Sequence, residues 1–164
     1  MNETLTRQFF VDSRDTDLHG LCRPSALLGM LQQMATEHAA YIGLARDDLL
    51  EKYNCVWLLA RTWFRLDKPI YHDQQLTITT WTRGATGAVS YRDFDIFANG
   101  ERIGEAVTSW VLADIDNRSL LRMHKIPEVV NVVRPETVKT KKLSRPPMPK
   151  DVQSVYENVT VEKI

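Results

Sequence analysis

Asp15-Thr16-Asp17-Leu18-His19-Gly20-Leu21-Cys22-Arg23 runs directly into Pro24-Ser25-Ala26-Leu27-Leu28-Gly29-Met30-Leu31-Gln32-Gln33-Met34-Ala35. The second half of this stretch decides the fold, because it opens a long helix. Leu27, Leu31, Met34, Ala35, His38 and Ile42 recur at helical spacing and form one apolar stripe. Pro24 suits a first helical turn, where its missing N–H costs nothing. Gly43 is a natural C-terminal stop. The first half is an acidic turn. Delivered onto a helix start, it predicts a carboxylate beside free backbone N–H groups that carry the positive end of the helix dipole. A base or nucleophile next to an anion-stabilising helix start is suited to attack on a carbonyl.

Working outward, Leu5 to Asp12 contains Phe9, Phe10 and Val11 and predicts a first strand. A short helical piece around Asp47 to Lys52 follows the long helix. Everything after it reads as sheet. Cys55 to Asp67 is rich in Val, Trp, Leu and Phe, and Gln75 to Arg83 alternates Leu76, Ile78 and Thr80 against Thr77, Thr79 and Trp81. Gly84 and Gly87 mark a turn. Val89 to Phe97 is a further strand, closed by Asn99-Gly100, a strong hairpin signal. Glu101 to Ile115 puts Ala106, Thr108, Trp110 and Leu112 on one face and Val107, Ser109, Val111 and Ala113 on the other. Apolar residues on both faces predict a sheet covered on both sides, by the helix on one and by a second sheet or subunit on the other. A strand, one long helix and four antiparallel strands define an α+β architecture, a curved antiparallel sheet wrapped around one central helix: the hot-dog fold.

At 164 residues the chain is long enough for one domain with a substantial core. Lys plus Arg and Asp plus Glu are both 21, so charge argues for neither a nucleic acid nor a membrane surface as partner. Cys22 and Cys55 are too few for a disulfide framework and point to a reducing compartment. The start of the chain reads as no signal peptide, and no apolar run approaches the roughly 20 residues of a membrane span. The expectation is a cytoplasmic protein. The hot-dog pattern covers residues 1–126. Residues 127–154, with Lys139, Lys141, Lys142, Arg145 and four prolines between 135 and 149, read as an extended linker. Val155 to Val161 alternates again and predicts, over 155–164, the first strand of a second hot-dog domain, with the reading frame continuing past Ile164.

The chain resembles the acyl-acyl-carrier-protein (acyl-ACP) thioesterases of bacteria and plants. The matching pieces are Leu31-Gln32-Gln33-Met34-Ala35-Thr36-Glu37-His38-Ala39, Trp57-Leu58-Leu59-Ala60-Arg61, Thr80-Trp81, Tyr91-Arg92-Asp93-Phe94 and Thr108-Ser109-Trp110-Val111, in the family's order. The resemblance implies the first of two hot-dog domains and hydrolysis of fatty acyl-ACP thioesters in fatty acid biosynthesis, with no metal or organic cofactor. It implies acyl carrier protein as partner, acyl-CoA being the alternative. The outer sheet face would be covered by a homodimer partner or by an intramolecular second hot-dog unit. The family's catalytic motif, an Asp, an Asn two residues on and a His two further, lies in its second domain. Asp17, His19 and Leu21 are the degenerate counterpart here, so the resemblance implies that this half shapes the acyl pocket. A shorter resemblance, to single-domain hot-dog acyl-CoA thioesterases with Asp-x-Asp-x-x-Gly, is met by Asp15, Asp17 and Gly20 and implies a site completed in a dimer. A third reading is a non-catalytic acyl-binding or dimerisation module.

Asp17 is the candidate catalytic residue, able to attack a thioester or take a proton from water. Its alternative role is to organise the turn by accepting backbone hydrogen bonds. Glu37 is a fallback carboxylate, His38 a candidate core histidine, and Cys22 a small buried residue or a thiol activated by the helix start. Met30, Leu31 and Met34, with Trp57, Trp63 and Trp81, are the candidate lining of an acyl tunnel, since flexible Met side chains adapt to variable chains. A calcium loop begun at Asp15 needs an acid at its twelfth position, which is Ala26. Asp17, His19 and Cys22 lack convincing zinc spacing, so no metal site is predicted.

Overall fold

The computed structural model describes residues 4–130. The predicted long helix, α1, spans Pro24–Tyr41 and buries Leu27, Met30, Leu31, Met34, Ala35 and His38, residues three or four apart on one face. Ile42 caps it and Gly43 leaves at φ 75°, a conformation that glycine adopts without strain. Helix α2, Arg46–Tyr53, has Asp47 and Asp48 in its first turn, where they meet the positive end of its dipole, and Asp48 accepts the Ala45 N–H at 3.1 Å.

The strands are β1 (Thr4–Phe10), β2 (Cys55–Leu66), β3 (Gln75–Thr86), β4 (Val89–Ala98), β5 (Glu101–Asp114) and the two-residue β6 (Leu120–Leu121). They form one antiparallel sheet in the order β1-β3-β4-β5-β2, with β6 pairing the free stretch of β5 near Leu112. Asn99 and Gly100 both take positive φ, 50° and 80°, so the predicted two-residue hairpin joins β4 to β5. Gly84 does not end β3. The strand runs through it at φ 119°, with a register shift between Thr82 and Gly84, and turns at Gly87. Further shifts at Leu59/Arg61 and Ile96/Phe97 add local twist, which lets the sheet curl.

Register defines what α1 meets. One row across the concave face reads Leu5, Thr80, Phe94, Ala106 and Phe64. The next row on that face is Thr82, Arg92, Thr108 and Thr62. Leu27, Met30, Leu31 and Met34 of α1 close onto Leu76, Ile78, Phe94 and Ile96 as the main core. A second cluster, centred on Leu44, Leu49, Cys55, Leu112, Met123 and Ile126, ties α2 and the chain after β6 to the other end of the sheet. After β6, Met123–Lys125 is a 3-10 turn, and the first residues of the predicted linker, Pro127–Val130 (α3), form a helical turn, with Glu128 accepting the Tyr53 hydroxyl hydrogen at 2.8 Å. The rest of that segment and the strand predicted at Val155 to Val161 lie outside the described residues.

Strand β5 approaches β2 so closely at Gly104 that a Cβ there would lie 2.6 Å from the Arg65 carbonyl oxygen and 2.7 Å from Leu66 Cδ2. Gly104→Ala is therefore expected to lower stability by about 1–3 kcal/mol, the usual range for overpacking. Urea unfolding checks this, and an unchanged midpoint would show that the two strands separate freely at this point.

Candidate functional site

The acidic turn is built on its own backbone. The Asp17 N–H donates to the Leu21 carbonyl at 2.8 Å, and Asp17 Oδ1 accepts the N–H groups of His19 at 2.8 Å and Leu21 at 3.0 Å. Those two bonds, Leu21's first, hold the Asp17 carboxyl below its ordinary value. The turn is anchored to the loop before β3, with Cys22 N–H on Ile70 O at 2.8 Å and His72 N–H on Gly20 O at 2.9 Å. The arrangement thus differs from the predicted one. Asp17's carboxylate is exposed and takes the N–H groups of its own turn, because these lie two and four residues away and close first. The Arg23 carbonyl accepts the N–H groups of Ala26 and Leu27 at the helix start.

The other candidates divide similarly. Glu37 accepts from Gln33 Nε2 and Arg7 Nε, both at 2.9 Å, and these bonds hold its carboxyl low; it ties α1 to β1. Burial, with Asp15 nearby, pushes the Cys22 thiol up, so the helix start does not activate it.

Where the two apolar clusters meet, α1 and the sheet stand apart over a cavity of about 610 Å³. Its helix wall is Gln32, Ala35, Thr36, Ala39 and Ala40, residues whose side chains stop short of the sheet at two of the innermost positions, Ala35 and Ala39. Its sheet wall is Val56, Trp57, Thr82, Ser90, Arg92 and Trp110, and Leu44, Arg46 and Val129 help close the end. Trp57 and Trp110 meet edge to face, 6.5 Å between centroids, and each indole N–H is held: Trp57's by Leu44 O at 3.3 Å, Trp110's by Thr108 Oγ1 at 2.8 Å. The volume and the mixed lining suit an apolar ligand with a polar group.

Of the six predicted tunnel residues, Trp57 lines this cavity. Met30, Leu31 and Met34 are buried in the main core, Trp81 is buried in the row of β3 that faces away from Phe94, and Trp63 is half-buried at the row of Val107. Asp17 is not in the lining.

Arg92 is the residue that the sequence reading left without a role. It is 6% exposed, and its Nη1 donates to His38 Nδ1 at 2.7 Å and to Thr80 Oγ1 at 3.3 Å. His38 is therefore neutral with its proton on Nε2, an atom that has no partner among the described residues. Burial first, then the adjacent Arg92 charge, lowers His38 to about 4, and burial lowers Arg92 to about 10, so Arg92 remains a cation at neutral pH. A signal for it existed: Ser90, Arg92 and Phe94 share one face of a strand whose Phe94 reads as core.

A curled antiparallel sheet around one helix, with a cavity beneath that helix, defines the hot-dog class. Within it the chain belongs to the acyl-ACP thioesterase family: residues 2–133 match the acyl-ACP thioesterase N-terminal domain. It is 25% identical over 123 residues to the chloroplastic oleoyl-acyl carrier protein thioesterase 2 of Arabidopsis thaliana, covering 71% of this chain and 34% of that protein. The acyl-ACP thioesterase from Bacteroides thetaiotaomicron superposes with a TM-score of 0.78 at 25% identity, over 88% of this chain and 58% of that one. The 12:0-ACP thioesterase from Umbellularia californica shares the fold, with a TM-score of 0.68 at 18% identity over 88% of this chain and 62% of that one. The chain spans about a third of the length of the curated relatives it matches.

Proposed function

We propose that this domain is the acyl-holding half of an acyl-ACP thioesterase, and that the cavity between α1 and the sheet takes the fatty acyl chain of an acyl-ACP during fatty acid biosynthesis. The observation that carries this is the cavity itself, lined by Ala35, Ala39, Trp57 and Trp110 in a chain of this family. Hydrolysis of the thioester to free fatty acid and carrier thiol is the work of a second hot-dog unit, a further domain or a second copy. Leu21 stands where the family's motif has an imidazole, and the Asp17 carboxylate is engaged by its own turn. On β5 the face turned away from Ala106 carries Val107, Val111 and Ala113, which supports such a partner unit across the outer sheet. No described helix is long and apolar enough to cross a membrane; a cytoplasmic location is part of the proposal.

Trp57 and Trp110 in the cavity wall provide the readout. The chain and its Asp17→Asn variant are both expected to show no appreciable hydrolysis of acyl-ACP or acyl-CoA, while tryptophan fluorescence reports fatty acyl binding to each. Turnover at ordinary enzyme rates that Asp17→Asn cuts by about 10²–10⁴-fold, the usual weight of a general base, would overturn this reading. It would establish instead a single-domain acyl-CoA thioesterase with Asp17 as its catalytic carboxylate.

A further inference from the structure

A buried guanidinium is expensive unless an anion accompanies it. Arg92 is buried, it lines the cavity, and among the described residues no carboxylate lies within ion-pair distance of it. Its two protein acceptors, His38 Nδ1 and Thr80 Oγ1, are both neutral, and both are reached from Nη1. A guanidinium carries five N–H donors, and among the described residues those on Nε and Nη2 have no acceptor, which leaves them for a ligand of the cavity that Arg92 lines. The cavity's charge is one-sided: among the described residues its lining holds Arg92 and the exposed Arg46, and no Asp or Glu. Thr82 and Ser90 flank Arg92 on the same wall, which makes this end polar, while Ala35, Ala39 and Trp110 keep the remainder apolar.

We propose that the cavity accepts an aliphatic chain carrying a carboxylate at its buried end, with that carboxylate paired to Arg92. The proposal rests on the acyl reading only for the aliphatic character of the ligand. Such a carboxylate has two sources. One is a free fatty acid entering head first, which would make the hydrolytic product a competitor for the substrate's own space. The other is an acyl thioester whose far end bears a carboxyl group while the thioester stays outside. Either way Arg92 gains the charge-assisted, bidentate partner for which a guanidinium fork is shaped.

The test is tryptophan fluorescence titration of the chain at pH 8 with four probes: dodecanoate, methyl dodecanoate, and the N-acetylcysteamine thioesters of dodecanoic and dodecanedioic acids. Charge-assisted pairing predicts an advantage of about 10- to 100-fold for a probe that delivers a carboxylate to Arg92. Dodecanoate binding that much tighter than its methyl ester supports the head-first free acid. The dodecanedioic thioester binding that much tighter than the dodecanoic one supports the far-end carboxylate. In Arg92→Met, which keeps an aliphatic stem, the advantage is expected to vanish while the methyl ester still binds. Equal affinity across both pairs on the unmodified chain overturns this proposal alone, whether or not the variant folds. No binding of any probe overturns the acyl reading with it.

Discussion

Acidification from pH 7 to pH 4 is expected to cost the domain about 3 kcal/mol through His38 alone, at 1.36 kcal/mol per unit of pKa shift. The imidazole is fully buried between α1 and β4, and its folded value of about 4 lies below the ordinary 6.5. Burial is the larger cause and the Arg92 charge the second. The unfolded chain therefore takes up the proton first. Stability from this site is complete well above pH 6.5, declines as the pH falls from there through about 4, and levels off below that. Asp12, Asp17 and Glu37, whose carboxyls are held low, also lose stability on acidification but in a lower pH window: they are ionised in both states at pH 6 and begin to matter only near their unfolded values. His38→Gln keeps an acceptor for the Arg92 N–H and cannot titrate. Urea unfolding at pH 7, 6 and 5 should show a falling free energy in the parent chain and a nearly flat one in the variant. The same slope in both would assign the acid sensitivity elsewhere.

Asp93→Ala is expected to remove about 3–5 kcal/mol, the range found when one member of a buried ion pair is deleted. Asp93 is completely buried, and its carboxylate takes a two-pronged grip from Arg83, with Nε 2.9 Å from Oδ2. Burial pushes the Asp93 carboxyl up while Arg83 pulls against it, so its charge is tolerated only because the guanidinium is there. Deleting the carboxylate leaves Arg83 in a largely enclosed position beside the Tyr91 ring, 6.0 Å from its centroid. Replacing both members together, as Arg83→Met with Asp93→Leu, is expected to cost far less than Asp93→Ala, since neither charge then needs solvation. Unfolding midpoints of the two variants decide it, and a double variant as unstable as Asp93→Ala would mean that the pair contributes more than mutual neutralisation.

Local signals in the sequence were sufficient for the elements. The stripe from Leu27 to His38, the proline and glycine that bracket it, the alternation in β3 and the positive-φ Asn99-Gly100 turn each depend on residues within one or two turns of one another. Physical chemistry acts on these at short range, so the helix, the strand order along the chain and the hot-dog class were all readable. The two-residue β6 was not, because two residues carry no period, and Gly84 read as a turn because a glycine inside a bulged strand has the same local signature as one ending it.

The site belongs to the other category. Alternation in β4 places Arg92 on the face of Phe94, but nothing local says whether that face meets packed core or open space at residue 92. The answer comes from what lies opposite. Met30, Leu31 and Met34 fill the gap over Phe94 and Ile96, whereas Ala35, the next residue, and Ala39, a turn further along α1, leave it open over Ser90 and Arg92. The methionines that read as a tunnel are thus core, and His38, 54 residues from Arg92 in sequence, becomes its partner. The sequence by itself determined one long helix against a curled antiparallel sheet. Only the tertiary structure decided where helix and sheet part, because a cavity is the difference between two surfaces that come from distant stretches of the chain.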